Sequence, residues 1–197
     1  VSGDKVSGGT IGAGVIGASV TGGAGLAGVP GTINEVDKWR IHTTSTTSTG
    51  ATILTSNFER SHTYGAFDPT ANGMTGMSES SGVFTFPSTG VWLIIINAMF
   101  EMPSGTASDR RLSIDCWSTT DSGSNYYMLC QSPTSMTNDG FPNVNQSGAG
   151  SCAHFDVTDT ATHKVQFRHH SEHADSRFMG NTDVDVTSFS FIRLGGT

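Results

Sequence analysis

The side chains that could do chemistry in this chain are concentrated in one short histidine run. His169, His170 and His173 lie within five residues, with Glu172 between them. Successive residues of a strand point to opposite faces, so His169 and His173 would share a face that His170 does not. A zinc site would then need ligands from other segments, or the same histidine from several copies of the chain. We expect a polar strand end that leads into a loop, with zinc as the alternative.

Acidic side chains form a second candidate metal site, in this case for calcium. The possible oxygen ligands are Asp156, Asp159, Asp175, Asp183 and Asp185. Their spacing lacks the glycine-punctuated pattern of an EF-hand loop, so solvated turn residues are a sufficient explanation. The sequence also has neither a G-x-S-x-G elbow nor a Gly-rich phosphate loop. We therefore predict no catalytic residues, no bound cofactor and a non-enzymatic protein.

The composition limits the partners that this protein can have. The chain has 197 residues, of which 35% are hydrophobic, enough for a domain with a real core. Its formal charge of -7 argues against binding to nucleic-acid phosphates, which requires clustered Lys and Arg. The longest apolar run, 91–96, is far shorter than the ~20 residues that span a bilayer. We predict a soluble protein with neither nucleic acid nor membrane as a partner.

The three cysteines, Cys116, Cys130 and Cys152, cannot all pair within one chain. None has the C-x-x-C spacing of a metal or redox motif. Free cysteine commonly behaves as a small hydrophobe, so we expect three partly buried thiols in a protein made in a reducing cell. A single disulfide with one thiol left over stays open.

Residues 1–31 differ from the rest of the chain. They repeat with a period of five, and the apolar first position is occupied by Val1, Val6, Ile11, Ile16 and Leu26. So few side chains cannot bury a core in one chain, but several copies wound together could form a thin stalk. A flexible Gly/Ser linker is the alternative. We predict a glycine-rich stalk or arm over 1–38 and a head over 39–197.

Beyond residue 38 the pattern is typical of an all-β protein. Short strand-like runs alternate with turn signals, and no segment keeps a helical period for three turns. The ten predicted strands are Trp39–His42, Thr52–Thr55, Asn57–His62, Gly82–Phe86, Val91–Met102, Arg110–Thr119, Ser124–Ser132, Cys152–Thr158, His163–Ser171 and Val186–Leu194. We predict an antiparallel jelly-roll sandwich of two packed sheets.

The segment Ser81–Glu101 carries the clearest local signal. Phe84 and Phe86 alternate with other residues as on a strand, Pro87 and Gly90 suit a chain reversal, and a second strand follows. We predict a hairpin. The second strand is apolar on both faces over most of its length, so it needs one cover from its own core and another from a second sheet or subunit.

These residues resemble a family signature. The stretch GVFTFPSTGVW, from Gly82 to Trp92, matches the G-x-F-x-x-P-x-x-G-x-Y pattern of C1q/TNF-like jelly rolls, with Trp92 in the usual tyrosine position. The C-terminal VTSFSFIRLG is similar to the closing strand of those domains, although Ser190 replaces a glycine. The resemblance covers Trp39 to Thr197 and is weak in the loops.

The resemblance implies a tight homotrimer in which inner sheets pack around a three-fold axis. Such a trimer offers the second cover that the strand after Gly90 needs. We predict that one set of its side chains faces neighbouring subunits, namely Trp92, Ile94, Ile96 and Phe100. Val91, Leu93 and Ile95 would then face the core, and the two sets could be exchanged.

The N-terminal segment, VSGDKVSGGTIG, is similar to Gly-rich segments of bacteriophage fibre and other virion appendage proteins. Together with a C1q/TNF-like head, it predicts a virion structural protein: a trimeric fibre or spike knob on the particle's exterior that attaches to a host-surface glycan or protein. Residues 1–38 would contact other virion proteins. The alternatives are a capsid decoration or cement protein and a secreted C1q-like binding module.

Two parts of the head are candidates for recognition. Long loops on a rigid sandwich commonly carry function, and one is predicted from Pro133 to Gly150. Its candidate contact residues are Met136, Asn138, Phe141 and Asn143. Trp117, Tyr126 and Tyr127 could instead stack on sugar rings, although ordinary sandwich packing explains them more simply.

Overall fold

Antiparallel strands account for most of the chain that the structure describes. The computed structural model describes residues 33, 35–62, 68–103, 108–137 and 144–197. The strands are β1 (Val36–Ile41), β2 (Ser45–Thr46), β3 (Gly50–Ile53), β4 (Phe58–Arg60), β5 (Ser78–Ser80), β6 (Val83–Thr85), β7 (Gly90–Met102), β8 (Asp109–Thr119), β9 (Tyr127–Met136), β10 (Asn145–Val157), β11 (Lys164–Ser171), β12 (Arg177–Phe178) and β13 (Ser188–Gly195). Within these ranges the helical content is one 3₁₀ turn, Thr70–Asn72. None of the residues described forms a helix that could cross a lipid bilayer.

The strands are arranged in two sheets, here named A and B. Sheet A has the order β2-β12-β7-β13-β1-β4, with β10 on the other edge of β7. Sheet B has the order β5-β6-β11-β8-β9, with β3 also beside β11. Strand β13 lies between β1 and β7, in the interior of sheet A. The prediction of an all-β antiparallel sandwich is confirmed.

The strand, turn and strand predicted within 81–101 are present, but they do not form a hairpin. β6 pairs with β5 and β11 in sheet B, whereas β7 pairs with β10, β12 and β13 in sheet A. The turn at Pro87 to Gly90 therefore carries the chain from one sheet to the other. The hairpin prediction was wrong because turn residues specify a change of direction, whereas strand partners are chosen by long-range contacts.

A tight turn before β6 explains the glycine at position 82. Gly82 has a φ of +83°, and a Cβ atom there would lie 1.9 Å from the carbonyl oxygen of Leu54. The backbone N–H of Leu54 donates a hydrogen bond to the carbonyl of Phe167 at 2.9 Å. Glycine is required because both the positive φ and the close backbone approach exclude a side chain. The turn thus holds the chain after β3 close to β11.

Aromatic side chains dominate the core between the sheets. Phe167 of sheet B stacks on Phe189 of sheet A, with ring centroids 4.0 Å apart. Phe84 of sheet B contacts Phe191 of sheet A at 5.3 Å. All four rings are fully buried. Because such pairs contribute about 0.5–1.5 kcal/mol each beyond the area they bury, they help to hold the two sheets together.

Buried and half-buried side chains alternate along β7, and this pattern shows which of its two apolar sets faces the core. The set predicted to face neighbouring subunits was Trp92, Ile94, Ile96 and Phe100. All four are at most 1% exposed within a single chain, so they form the core and that prediction was wrong. Val91, Leu93 and Ile95 are half-buried on the outward side, and their contact with neighbouring subunits stays a prediction. Side-chain bulk explains the choice, since Trp92 packs against Phe86 of the facing sheet with ring centroids 5.2 Å apart.

The long loop predicted from Pro133 to Gly150 was also wrong. Strand β9 continues to Met136, and β10 begins at Asn145. β9 is the edge strand of sheet B, a position where the missing N–H of Pro133 is tolerated. Met136 is 5% exposed and packs in the core, so it does not belong to a recognition loop.

Each of the ten predicted strands has a counterpart in the structure. Sequence reasoning missed β2, β5 and β12, which are only two or three residues long. β1 begins at Val36, inside the predicted arm, and Ile33–Thr197 form one compact unit. Residues 1–32 lie outside the described residues, so the stalk stays a prediction.

Candidate functional site

The outward face of sheet A, on the side away from the core, is apolar at its centre. Antiparallel partners lie side by side on one face, so the strand register gives the rows of neighbouring side chains. One row, across β10, β7, β13 and β1, is His154, Leu93, Ile192 and Val36. The next row is Cys152, Ile95, Ser190 and Lys38. This surface is termed the apolar face, and its half-buried apolar residues are Val36, Val91, Leu93, Ile95 and Ile192.

A groove of about 330 Å³ opens on the apolar face. Its lining combines three apolar and five polar residues: Val36, Ile95, Ile192, Asp37, Lys38, Ser61, Asp185 and Ser190. The volume is that of a small-ligand site. Lys38, Asp185 and Ser61 are already bonded to one another through Asp185.

Charged side chains border the apolar face where β1 meets β4. Arg40 is 1% exposed, and its Nε donates to Glu59 Oε2 at 3.1 Å. Lys38 Nζ lies 2.7 Å from Asp185 Oδ2. Partial burial would raise the pKa of Asp185, but hydrogen bonds from Lys38 and Ser61 outweigh it and lower that pKa. An apolar centre bordered by paired charges is the usual anatomy of a protein interface.

The outward face of sheet B mixes polar residues with exposed Ile53 and Met128, and an arginine covers one of its aromatic rings. The guanidinium of Arg168 lies over the indole of Trp117, 4.0 Å from the ring centroid, and 5.9 Å from the ring of Tyr126. One side of the Trp117 ring is therefore taken by a cation–π contact and is not open to a sugar. Tyr127 is 70% exposed, so it is the accessible member of the predicted aromatic group.

The histidine run is divided between core and surface. His169 is 4% exposed on the core side of β11, with its ring 5.7 Å from Phe178. Burial, with a smaller contribution from neighbouring His170, lowers the pKa of His169 to about 4. His170 points to the opposite face, and His173 follows the strand. In the part of the chain that the structure describes, no three His, Cys, Asp or Glu side chains are grouped to hold a metal ion.

Two of the acidic residues considered for calcium, Asp159 and Asp185, serve a local turn and an ion pair. Asp159 accepts hydrogen bonds from the backbone N of Ala161 at 2.9 Å and from Thr162 Oγ1 at 3.1 Å. Asp185 is occupied by Lys38, as described above. Asp156 is exposed on β10, beside Val91 of the apolar face. The structure does not bring these carboxylates together.

Sequence reasoning missed a buried carboxylate, Asp109, at the start of β8. It is fully buried and accepts hydrogen bonds from Ser171 Oγ at 2.6 Å and from Ser176 Oγ at 2.8 Å. Burial alone would raise the pKa of Asp109, but these hydroxyl donors and the backbone N–H of Glu172 lower it. The charge is thus satisfied by the segment that follows β11, which it holds in place. A single Asp at a strand end gives no sequence signal that separates it from a solvated turn residue.

The cysteines occupy three different environments as free thiols. Cys116 on β8 is buried and Cys130 on β9 is half-buried, and the two are direct antiparallel partners. Cys152 is exposed on the outward side of β10, so the expectation of partial burial fails for it. No motif predicts the pairing of Cys116 with Cys130, because it results from the register of two strands.

The predicted recognition residues Asn138, Phe141 and Asn143 lie outside the described residues, and their role stays a prediction. The flanking strand ends are close together. Asn145 Nδ2 donates a hydrogen bond to the carbonyl of Thr137 at 2.9 Å. This contact joins the end of β9 to the start of β10 at the base of the intervening segment.

Comparison with known proteins identifies the fold. No protein-family model and no curated protein matches the chain. Among solved structures, the chain is similar to the Eiger TNF from S. frugiperda, with a TM-score of 0.53 and 11% identity, over 82% of this chain and 93% of that one. The fold is a TNF-like jelly roll.

A second solved structure agrees with this assignment. The chain is similar to murine APRIL, in its crystal structure at pH 5.0, with a TM-score of 0.50 and 9% identity. The match covers 80% of this chain and 97% of that one. The TNF-like jelly roll predicted from the Gly82–Trp92 signature is therefore confirmed, and sequence identities this low establish the fold alone.

Proposed function

We propose that this chain is a non-enzymatic structural protein of a virus particle that assembles as a homotrimer and attaches to a host surface through its TNF-like head. The observation that carries the proposal is the apolar face of sheet A. Leu93, Ile95 and Ile192 remain partly exposed there in the middle of a sheet. A binding module whose sheet face is covered by other copies of itself explains this exposure best.

Two further copies of the same chain are the proposed cover of the apolar face. An antiparallel sheet with one solvated face normally alternates apolar and polar side chains, and β7 does not. At about 25 cal/mol per Å² of apolar area, covering several such side chains contributes on the order of 10 kcal/mol before the costs of association. The family resemblance in the sequence implies the same three-fold arrangement.

The buried carboxylates support a non-enzymatic role. Asp37 is 1% exposed and accepts hydrogen bonds from Arg60 Nε at 3.0 Å, Trp39 Nε1 at 2.9 Å and the backbone N of Met77 at 2.7 Å. Asp109 is satisfied in a similar way. A general acid or base needs access to a substrate proton, and these groups are committed to holding strands and loops together.

The virion setting rests on the N-terminal segment. Its SGDKVSGGTIG stretch is similar to segments of bacteriophage fibre proteins. In the proposal, residues 1–38 join the head to other virion proteins, and the segment between Thr137 and Asn145 contacts a host glycan or protein. The location is the exterior of the particle.

The assembly part of the proposal is tested by the mass of the purified protein in solution. Sedimentation equilibrium at micromolar concentration should give about 62 kDa, three times the chain mass of 20.6 kDa. A stable, folded monomer at that concentration would refute the trimer. A dimer would refute the three-fold arrangement and leave the apolar face as the covered surface.

The virion part is tested by imaging labelled particles. Antibody-bound gold at tail or fibre tips, together with competition for host-cell binding by the purified trimer, is the expected result. Label at local three-fold positions of the capsid would instead assign a decoration role. Absence of label from particles would remove the virion assignment and favour a secreted binding module.

A further inference from the structure

The facing thiols of Cys116 and Cys130 form a site that the proposed function does not use. The two residues are direct partners of the antiparallel strands β8 and β9. Direct partners share one face of a sheet with Cα atoms about 4.5–5.5 Å apart, inside the range of about 4.4–6.8 Å that a disulfide requires. We propose that Cys116 and Cys130 form an intrachain cross-strand disulfide when the folded protein meets a low-molecular-weight disulfide such as oxidised glutathione.

The burial of the two thiols assigns them different roles. Cys116 is 0% exposed, whereas Cys130 is half-buried at the edge strand of sheet B. A small disulfide can therefore reach the sulfur of Cys130 first. Cys130 Sγ accepts a hydrogen bond from Ser151 Oγ at 3.5 Å. Cys130 is the attacking thiol, and Cys116 is the resolving thiol behind it.

The acidity of the thiols supports this division. A hydrogen bond from Cys116, which outweighs the effect of burial, lowers the pKa of Cys130 to about 6. The same hydrogen bond, together with complete burial, raises the pKa of Cys116. Thiolates with a pKa near the ambient pH are the most effective attackers in disulfide exchange. Cys130 is thus the more acidic thiol of the pair, and Cys116 keeps its proton until the second step.

The exchange proceeds in two balanced steps. The Cys130 thiolate attacks one sulfur of the small disulfide, so a mixed disulfide forms and one small thiolate leaves. That thiolate accepts the proton of Cys116, and the Cys116 sulfur then attacks the Cys130 sulfur and expels the second small thiolate, which takes a proton from water. The two protein thiols are oxidised to one disulfide, and the small disulfide is reduced to two thiols.

The strand geometry next to Cys116 and Cys130 favours formation of the disulfide. The register of β8 and β9 shifts between Cys116 and Trp117, which leaves Leu129 as an extra residue in β9. Such a bulge interrupts the hydrogen-bond ladder and lets the strand adjust locally. The third thiol is kept apart, because Cys152 points to the opposite face of β10 from Ser151. The bond should therefore be selective for Cys116 and Cys130.

The test is to oxidise the reduced, folded full-length chain with oxidised glutathione, alkylate the remaining thiols and map the cysteines. Cleavage on the N-terminal side of Asp115, Asp121, Asp139 and Asp156 places the three cysteines on separate peptides. The expected result is a linked pair of peptides that carry Cys116 and Cys130, with Cys152 alkylated. Closing a loop of this length should also raise Tm by about 5–10 °C, an increase that reducing agent reverses.

Matched variants separate this bond from other oxidation. Cys152→Ala should keep the link and the rise in Tm, whereas Cys130→Ala should lose both. If Cys130→Ala does not fold, the wild-type peptide map decides alone. Cys116 and Cys130 both alkylated after oxidation, a glutathione adduct that persists on Cys130, or a link to Cys152 would each overturn the proposal.

Discussion

The outward faces of sheets A and B differ in how their apolar side chains are arranged and covered. On sheet B, Arg168 covers Trp117. On sheet A, Leu93 and Ile192 lie side by side and are half-buried. Both sheets bury their inward faces against the same aromatic core, so the core does not cause the difference. The outward face of sheet A has a contiguous apolar centre, whereas that of sheet B is mixed, with exposed hydrophobic residues such as Ile53 among polar ones.

The largest effect is expected from negative charge placed on the apolar face. Leu93→Glu combined with Ile95→Glu should weaken self-association at least about 100-fold, because burying unpaired charge costs several kcal/mol. Sedimentation velocity over a concentration series measures the change. Val83→Glu is the matched control, since Val83 is half-buried on the outward side of sheet B.

Circular dichroism and thermal melting should show that the charge variants and Val83→Glu remain folded. The control should associate like the wild type. Loss of association in both the charge variant and Val83→Glu, or in neither of them, would show that the two outward faces do not differ in the proposed way.

The next largest effect is a difference in the free energy of unfolding between variants of two neighbouring residues of β7. The comparison uses an Ile95→Glu background, because this single charge on the apolar face should also dissociate the assembly. In that background, Ile94→Ala should lower the free energy of unfolding by about 2–5 kcal/mol, because it opens a cavity in the core. Leu93→Ala, one residue away on the outward side, should lower it by less than about 1 kcal/mol in that background. Urea unfolding of both variants measures the two values. Similar losses would contradict the inward and outward assignment of β7.

A smaller effect is the loss of stability at acid pH. It distinguishes an inward residue of β11 from its outward neighbour. The pKa of His169 is about 4 in the folded chain, against about 6.5 for an unfolded histidine. Between these values the unfolded state binds a proton that folded His169 does not, so stability falls as the pH falls from about 6.5 to about 4. The loss from this residue should be on the order of 2 kcal/mol.

Urea unfolding at several pH values, again in the dissociated background, measures this loss. His169→Gln should reduce the slope of stability against pH in that window. His170→Gln, on the outward side of the same strand, should change the slope less than His169→Gln, because His170 makes only the smaller contribution to the lowered pKa of His169. A slope that is unchanged in His169→Gln would show that burial of His169 does not control its protonation.

The smallest effect is expected on the outward face of sheet B. Arg168→Ala removes the cation–π contact with Trp117 and should lower the free energy of unfolding by about 0.5–1 kcal/mol. It should leave the mass in solution unchanged. Arg168→Lys should recover part of the loss. Dissociation of the assembly by Arg168→Ala would mean that sheet B also takes part in subunit contacts.

Strand existence was predictable from sequence, and strand pairing was not. Phe84, Phe86 and the apolar run from Val91 signal strands through local alternation and turn residues. Their assignment to different sheets depends on β11 and β13, which lie about a hundred residues further along the chain. The predicted strand ends were wrong for a related reason. Pro133 indicates the end of a strand unless its position at a sheet edge is known.

The candidate site was predictable in kind but not in orientation. The sequence shows that β7 is apolar on both faces, which is why a second cover was expected. It does not show which face is inward, although the larger Trp92 and Phe100 were a usable signal for the core. The facing thiols of Cys116 and Cys130 had no sequence signal, since the thirteen positions between them fix the strand register only when both strands and the bulge are known.

The central position of β13 in sheet A has a consequence for the order in which the protein is made. A chain synthesised from its N-terminus produces β1 and β7 long before Ser188–Gly195 can be inserted between them. Until then both strands keep an unpaired edge, the kind of edge that promotes aggregation. Ile192 supplies the middle of the row between Leu93 and Val36, so the apolar face does not exist before β13 is in place. If the proposed assembly forms through the apolar face, the connectivity of the fold excludes incomplete chains from it.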